Sequence, residues 1–313
     1  MPQMRTTLRA RIALMSIALT GVAAIVAAPA VAAPIGPSAD PGIESPIRSN
    51  TSAIPAGTVI EPPVNCAPGP HRPHPVIVLP GADGTTDQTA AQWNPMLTAL
   101  RADGGCAFVF QGGIIKGQRW AGDVPSEARQ VADFVSKVRR ATGADKVDIV
   151  AHSAGSFVAQ YYLKVLHGAS SVRDAVLLAP ESRGCDGTGL LAQYGITNPP
   201  MTPVQAAEVA PYLVSALAIR FPGMAPAMQM SPTSEVYRAV FDGTVTQPGV
   251  HYSVLATRND GIATPAVTCS LINEPGVVNV VYENRFPTAP AVDHSTLRSS
   301  PDTTAWVVEQ LQS

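Results

Sequence analysis

Charged side chains are scarce in this chain, and neither sign dominates. Only 14% of the 313 residues are Asp, Glu, Lys or Arg, and 21 basic residues stand against 23 acidic ones. The body of the sequence holds no basic cluster, which argues against nucleic acid as a partner. Because 46% of the residues are hydrophobic, the length suits one globular domain with a substantial core. Internal repeats and a second domain are also missing.

Cysteine is rare as well, with four residues in the whole chain, at positions 66, 106, 185 and 269. No two of them lie close together in the sequence, and no histidine stands near one of them at ligand spacing. This pattern argues against a zinc site. In an exported protein an even number of cysteines predicts two disulfides, and four cysteines permit three pairings.

The first 32 residues have the features of a secretory signal peptide. Three arginines precede an apolar run over residues 12–28, which ends in a small-residue cleavage site. We predict cleavage after Ala32 and a secreted, extracellular protein without a membrane span after processing. The alternative is an uncleaved anchor, because the apolar run approaches spanning length. Residues 33–65 are rich in Pro, Ser, Ala and Gly, and we expect a flexible leader there.

The stretch over residues 145–157 combines a short apolar strand, a tight turn around Ser153 and the start of an apolar helix. This order is typical of a nucleophile elbow, in which the serine is held in a strained backbone conformation with the helix packed close behind it. Small neighbours are needed there, and Ala151, Ala154 and Gly155 supply them; Ala151 stands where glycine is usual. We therefore predict Ser153 as the nucleophile of an α/β-hydrolase.

Strands and helices alternate along the rest of the chain at short spacing. This alternation predicts a mostly parallel central sheet with helices on both faces, formed by residues 66–313 in one α/β-hydrolase domain. Residues 186–250 break the rhythm, and we predict a small cap-like insertion above the nucleophile. Its methionines fit an adaptable acyl-chain wall and fit ordinary core equally well.

A glycine-containing turn follows the apolar strand predicted at residues 75–79. In this fold such a turn supplies half of the oxyanion hole, because small residues let a backbone N–H approach the substrate oxygen. Ala82 is the first choice for this donor and Asp83 the second. The N–H of Ala154 is expected to supply the other half. The alternative is an ordinary strand-to-helix turn.

The remaining two catalytic groups follow from the chain order of this fold, which is Ser, then an acid, then His. Asp260 lies in an Asn-Asp-Gly turn after a predicted strand, as the acid should; its rivals are Asp186, Asp242 and Asp293. The base is His294, on a loop after the last predicted strand. The other histidines lie before the acid or beside the serine: His71, His74, His152, His167 and His251.

The predicted fold also selects one cysteine pairing. Cys66 and Cys106 each precede one of two successive strands, at the edge of the sheet where the strands begin (the lower edge). Cys185 and Cys269 each follow a strand, at the upper edge. We predict Cys66–Cys106 and Cys185–Cys269, because crossed pairings would have to span the sheet.

Taken together, these motifs resemble the secreted bacterial lipases of the class 2 family, which are common in actinobacteria. The resemblance runs from about Pro75 to the end of the chain. Its anchors are Val-Leu-Pro-Gly before residue 82, Ala-His-Ser-Ala-Gly at 151–155, Thr-Arg-Asn-Asp-Gly at 257–261 and Val-Asp-His at 292–294. The turn at Gly81 is also similar to that of fungal lipase B, with Pro-Gly in place of the more common His-Gly.

The resemblance implies hydrolysis of carboxylic esters of acylglycerol type through an acyl-enzyme, without a metal or other cofactor. The expected partner is a small-molecule or lipid ester. A lipid ester would be bound at a lipid–water interface. The expected oligomeric state is a monomer. Two alternatives remain at this point: hydrolysis of another acyl bond, such as a polyester or thioester, and a hydrolase-fold protein that binds without catalysis.

Overall fold

The computed structural model describes residues 54–192, 195–210 and 224–312. The predicted signal peptide and most of the predicted leader lie outside these residues. In chain order, the described strands and α-helices are β1 (Thr58–Ile60), β2 (Val76–Leu79), α1 (Thr89–Arg101), β3 (Ala107–Val109), β4 (Gln111–Ile114), α2 (Val124–Thr142), β5 (Val147–His152), α3 (Ala154–Lys164), β6 (Val172–Leu178), α4 (Thr188–Ala192), α5 (Pro203–Val209), α6 (Met224–Gln229), α7 (Glu235–Phe241), β7 (His251–Ala256), β8 (Val278–Val281), α8 (Tyr282–Arg285) and α9 (Pro301–Gln310).

Six of these strands form one sheet in the order β3-β2-β5-β6-β7-β8, and every neighbouring pair is parallel. A parallel sheet is covered on both faces, which explains why residues 76–79, 149–151 and 175–178 of its central strands are apolar. Helices α2, α3 and α7 pack on one face, and α1 and α9 pack on the other. With the serine turn described below, this topology confirms the predicted α/β-hydrolase fold.

The end of the predicted leader is attached to the domain. Strand β1 pairs antiparallel with β4, although the sequence predicts a loop over residues 111–124. Gly57 lets the two backbones approach, because a Cβ at this position would lie 2.4 Å from the carbonyl carbon of Gly113. No periodicity marks either segment, since each strand is only three or four residues long.

The described part of the predicted insertion consists of α4 to α7. Gln229 joins it to the body of the domain: its amide donates to Asp123 Oδ1 at 2.8 Å and accepts from the N–H of Val124 at 2.8 Å. The sequence predicts that Ser231 caps the last helix of this region. In the structure Ser234 is the cap instead, because residues 231–234 form a turn first, and α7 begins at Glu235.

Both disulfides join segments at the expected edges of the sheet. Cys66 is bonded to Cys106 with 6.0 Å between the Cα atoms, and Cys185 to Cys269 with 4.4 Å. The second bond ties the loop after β6 to the loop after β7. No helix among the described residues is long and apolar enough to cross a membrane.

A buried carboxylate at the lower edge of the sheet gives a testable pH dependence. Asp148 of β5 receives two hydrogen bonds from the guanidinium of Arg173, at 3.0 and 3.1 Å. Burial nevertheless raises the pKa of Asp148 from 3.8 to about 6, because it outweighs the effect of Arg173. A raised pKa means that the folded state binds the proton more tightly than the unfolded chain does. The contribution of Asp148 to stability is therefore present below about pH 4 and is lost as the pH rises through 6.

We expect the free energy of unfolding of the wild type, minus that of Asp148→Asn, to fall between pH 4 and pH 7 by up to about 2 kcal/mol. Urea denaturation of both proteins at four pH values measures this difference. A constant difference over this interval would show that Asp148 ionises at its ordinary pKa in the folded protein, and a rising difference would show that its pKa is lowered there; either result would contradict the raised pKa.

Candidate active site

Ser153 occupies the sharp turn between β5 and α3. Its backbone has φ 51° and ψ −129°, a conformation that costs a non-glycine residue of order 1–3 kcal/mol. The N–H of Ser153 donates to the carbonyl of Leu178 at 3.0 Å, which fixes the turn to the end of β6. Strain of this kind is held by the surrounding structure, and it presents the Oγ at the carboxyl edge of the sheet.

The close packing of α3 explains which small residues this turn requires. A Cβ on Gly155 would lie 2.4 Å from the carbonyl oxygen of Pro80 and 2.6 Å from that of Leu79. Both are backbone atoms at the end of β2, so only glycine fits at position 155. Ala151, by contrast, lies fully buried in β5, where its methyl group is part of the apolar core. The substitution of the usual glycine by Ala151 therefore leaves the turn intact.

The structure brings the three residues predicted as a triad into contact. The Oγ of Ser153 is 2.8 Å from Nε2 of His294, and Nδ1 of His294 is 2.8 Å from Oδ2 of Asp260. All three side chains are buried. The N–H groups of Ile262 and Ala263 donate to Oδ1 of Asp260 at 2.9 and 2.8 Å, and they hold the carboxylate in this orientation. The arrangement therefore places a hydroxyl within hydrogen-bond distance of a base, and the base within hydrogen-bond distance of an acid.

The rival acids point elsewhere. Asp186 accepts from the hydroxyl of Thr264 at 2.6 Å, and Asp293 accepts from the backbone and side chain of Thr296, both at 2.7 Å. Asp242 is exposed after the end of α7. Asp186 therefore braces the loop that carries Asp260, and Asp293 caps the turn that carries His294.

A second histidine supports the first. The Nε2 of His152 donates to the carbonyl oxygen of His294 at 2.8 Å, and the two ring centroids are 4.9 Å apart. Burial lowers the pKa of His152, and the charge of the nearby Asp83 opposes this shift. His152 thus fixes the backbone of the His294 loop.

The turn after β2 lies directly against the serine. A Cβ on Gly81 would be 2.6 Å from Nδ1 of His152 and 3.0 Å from Cβ of Ser153. Among the described residues, no acceptor receives a hydrogen bond from the N–H of Ala82, Asp83 or Ala154. Within this part of the chain, all three candidate oxyanion donors lack a protein acceptor.

The side chain of Asp83 joins this turn to the histidine loop. Its Oδ2 accepts from the hydroxyl of Ser295 at 2.8 Å and is paired with the guanidinium of Arg298. Burial alone would raise the pKa of Asp83, but His152, Arg298 and Ser295 outweigh burial and lower it, so the carboxylate stays charged. The sequence indicates nothing of this bridge, which joins residues more than 200 positions apart.

Two further polar residues near the site are not apparent from the sequence. Arg119 lies fully buried beneath the turn, in a segment predicted as loop. Glu181 follows β6, and burial raises its pKa; His294 lowers this pKa and Asp260 raises it. The only sequence signal for Arg119 is that it is a lone arginine between glycines at positions 117 and 122. For Glu181 the sequence gives no signal, since the proline before it does not indicate a functional residue.

Known proteins with similarity to this chain are found both by sequence and by structure. The model of the family Lipase (class 2) matches residues 73–180, less than half of the chain, including the turn after β2 and Ser153. Solved structures with a similar fold include a lipase-esterase related protein from Clostridium acetobutylicum ATCC 824, with 13% identity, 82% of this chain and 98% of that chain covered, and a TM-score of 0.48. The enol-lactonase from Burkholderia xenovorans LB400 has 17% identity, coverage of 82% and 96%, and a TM-score of 0.48.

The sheet order and the serine turn define the class of the protein: it has the α/β-hydrolase fold. More narrowly, residues 73–180 are similar to the class 2 lipases, which supports a hydrolase. The structural neighbours add no argument about the reaction at these identities and TM-scores.

Proposed function

We propose that the chain is a secreted serine hydrolase of carboxylic esters, with acylglycerol-type esters as substrates. The observation that carries the proposal is the continuous contact from Ser153 through His294 to Asp260, with 2.8 Å at each step. The similarity of residues 73–180 to class 2 lipases supports ester substrates. Two disulfides and the N-terminal sequence pattern support export.

In the first half of the proposed reaction, the Oγ of Ser153 attacks the ester carbonyl carbon while Nε2 of His294 takes the hydroxyl proton. Asp260 accepts from Nδ1, so it selects the tautomer with a free Nε2 and stabilises the imidazolium that forms. The N–H groups of Ala82 and Ala154 donate to the oxyanion, an interaction worth several kcal/mol of barrier in serine hydrolases. His294 then protonates the leaving alcohol.

In the second half, water replaces the alcohol and His294 removes its proton as it attacks the acyl-enzyme. The tetrahedral intermediate collapses, the proton returns to Oγ of Ser153, and the carboxylic acid leaves. Every protein group in this cycle is a side chain or a backbone N–H of this chain. The fold supplies the geometry, because Ser153 and Asp260 both follow the carboxyl ends of strands in one parallel sheet.

A series of p-nitrophenyl esters from acetate to palmitate tests the proposal on the wild type and on Ser153→Ala. We expect turnover by the wild type and a loss of at least about 10³-fold in Ser153→Ala. Undiminished turnover in Ser153→Ala would rule out the mechanism. Turnover of matched thioesters with no turnover of any ester would favour the thioesterase alternative.

A further inference from the structure

The guanidinium of Arg119 is bonded entirely to the turn after β2 and its surroundings. Its five N–H donors each have an acceptor: Gly81 O (2.9 Å), Thr85 O (2.8 Å), Asp83 O (2.9 Å), Gln92 Oε1 (3.2 Å) and Thr89 Oγ1. Three of these acceptors are carbonyl oxygens of the same turn. No carboxylate is among them, so the buried cation is stabilised by neutral oxygens that its planar fork holds at fixed positions.

The bond to Gly81 decides the direction of one N–H. In a trans peptide the carbonyl of one residue and the N–H of the next point in opposite directions. Because Nε of Arg119 holds the carbonyl oxygen of Gly81, the N–H of Ala82 points away from the guanidinium. The same peptide adjoins the nucleophile, since a Cβ built on Gly81 would lie 3.0 Å from Cβ of Ser153. The anchored peptide is therefore the one that carries the first-choice oxyanion donor.

The same bond also strengthens the donor. Hydrogen bonds in a chain polarise one another, and an amide whose carbonyl oxygen accepts from a cation becomes a better N–H donor. The neighbouring residue adds to the anchor: the indole N–H of Trp120 donates to the carbonyl of Pro80, and Trp120 has a positive φ of 50°. Positive φ at a tryptophan is held only where the surroundings require it.

We propose that Arg119 is a positioning residue of the oxyanion hole, which acts by orienting and polarising the Gly81–Ala82 peptide. This inference rests on the proposed ester hydrolysis and goes beyond it, because it selects Ala82 over Asp83 and names the group that holds the donor in place. The N–H of Asp83 belongs to the next peptide, whose carbonyl, that of Ala82, receives no hydrogen bond from Arg119.

The test compares Arg119→Met, which removes every donor at similar volume, with Arg119→Lys, which keeps the charge but loses the fork. We expect kcat to fall about 100-fold in Arg119→Met and about 10-fold in Arg119→Lys, with KM within threefold of the wild type. The affinity for a trifluoromethyl ketone, whose hemiketal oxygen binds in the hole, should fall in parallel with kcat/KM. Active-site titration corrects each rate for the folded fraction.

Arg173→Lys is the matched control, because Arg173 is an arginine held by Asp148 and Asp174 at the opposite edge of the sheet. This variant should lower the melting temperature and leave kcat per active site unchanged. Wild-type kcat in both Arg119 variants, with turnover still dependent on Ser153, would overturn the inference alone. A wild type without esterase turnover would overturn the proposed function and this inference with it.

A measurement on the wild type keeps the inference testable if the variants do not fold. In a ¹⁵N-labelled sample, binding of the trifluoromethyl ketone should shift the amide proton of Ala82 strongly downfield, and that of Asp83 much less. The reverse order would show that the peptide held by Arg119 is not the donor.

Discussion

Replacement of Asp260 by asparagine is expected to lower kcat/KM about 10⁴-fold, with little loss of stability. The amide can still occupy the position of the carboxylate, but it does not stabilise the imidazolium, and it favours the wrong tautomer of His294. The two bonds from Ile262 and Ala263 to Oδ1 explain why the geometry should survive, since an amide oxygen accepts them equally well. Steady-state kinetics with p-nitrophenyl butyrate measures the effect.

Asp186→Asn is the matched control for this variant. Asp186 also lies at the carboxyl edge of the sheet, but it accepts from Thr264 and does not contact the ring of His294. We expect a loss of less than about tenfold, because an asparagine oxygen can still accept from Thr264. A larger loss in Asp186→Asn than in Asp260→Asn would assign the acid to the loop after β6 and would contradict the geometry described above.

Gly155→Ala is expected to lower both stability and activity, through packing. The added methyl group would lie 2.4 Å from a backbone oxygen at the end of β2, so either α3 or the turn after β2 must move. Overpacking of this kind costs about 1–3 kcal/mol, and here it also separates Ser153 from the oxyanion turn. We expect a melting temperature lower by about 3–10 °C, and a fall in kcat of at least about tenfold in the folded fraction.

Thermal unfolding and active-site-titrated kinetics measure the two effects separately. Gly261→Ala is the stability control, because a Cβ at that position meets no atom within 4 Å. A melting temperature of Gly155→Ala equal to that of Gly261→Ala would mean that α3 and β2 are not packed as tightly as described.

The elements of the sheet and the three residues in contact could be predicted because local patterns carry them. Ser153 stands in a strand–turn–helix motif, and Asp260 and His294 follow in the chain order of the fold. What the sequence does not indicate is the set of contacts made across long stretches of chain. Asp83 pairs with Arg298, and Arg119 holds the turn after β2, through polar groups that no periodicity marks.

The short strands β1 and β4 and the start of α7 could not be predicted from the sequence either. Strands β1 and β4 exist because two backbones meet at Gly57 and Gly113, which no local propensity encodes. The cap of α7 is Ser234 and not Ser231, because a turn over residues 231–234 precedes the helix. Tertiary context decides the first case, and a competing local turn decides the second.

The most direct test of the central claim is covalent labelling of the intact protein with a p-nitrophenyl alkylphosphonate, followed by mass spectrometry of its peptides. We expect one adduct per protein, located on Ser153, and loss of esterase activity in proportion to labelling. We also expect no adduct on Ser153→Ala. An adduct on another residue, or full labelling of Ser153 with esterase activity retained, would contradict the assignment of Ser153 as the nucleophile.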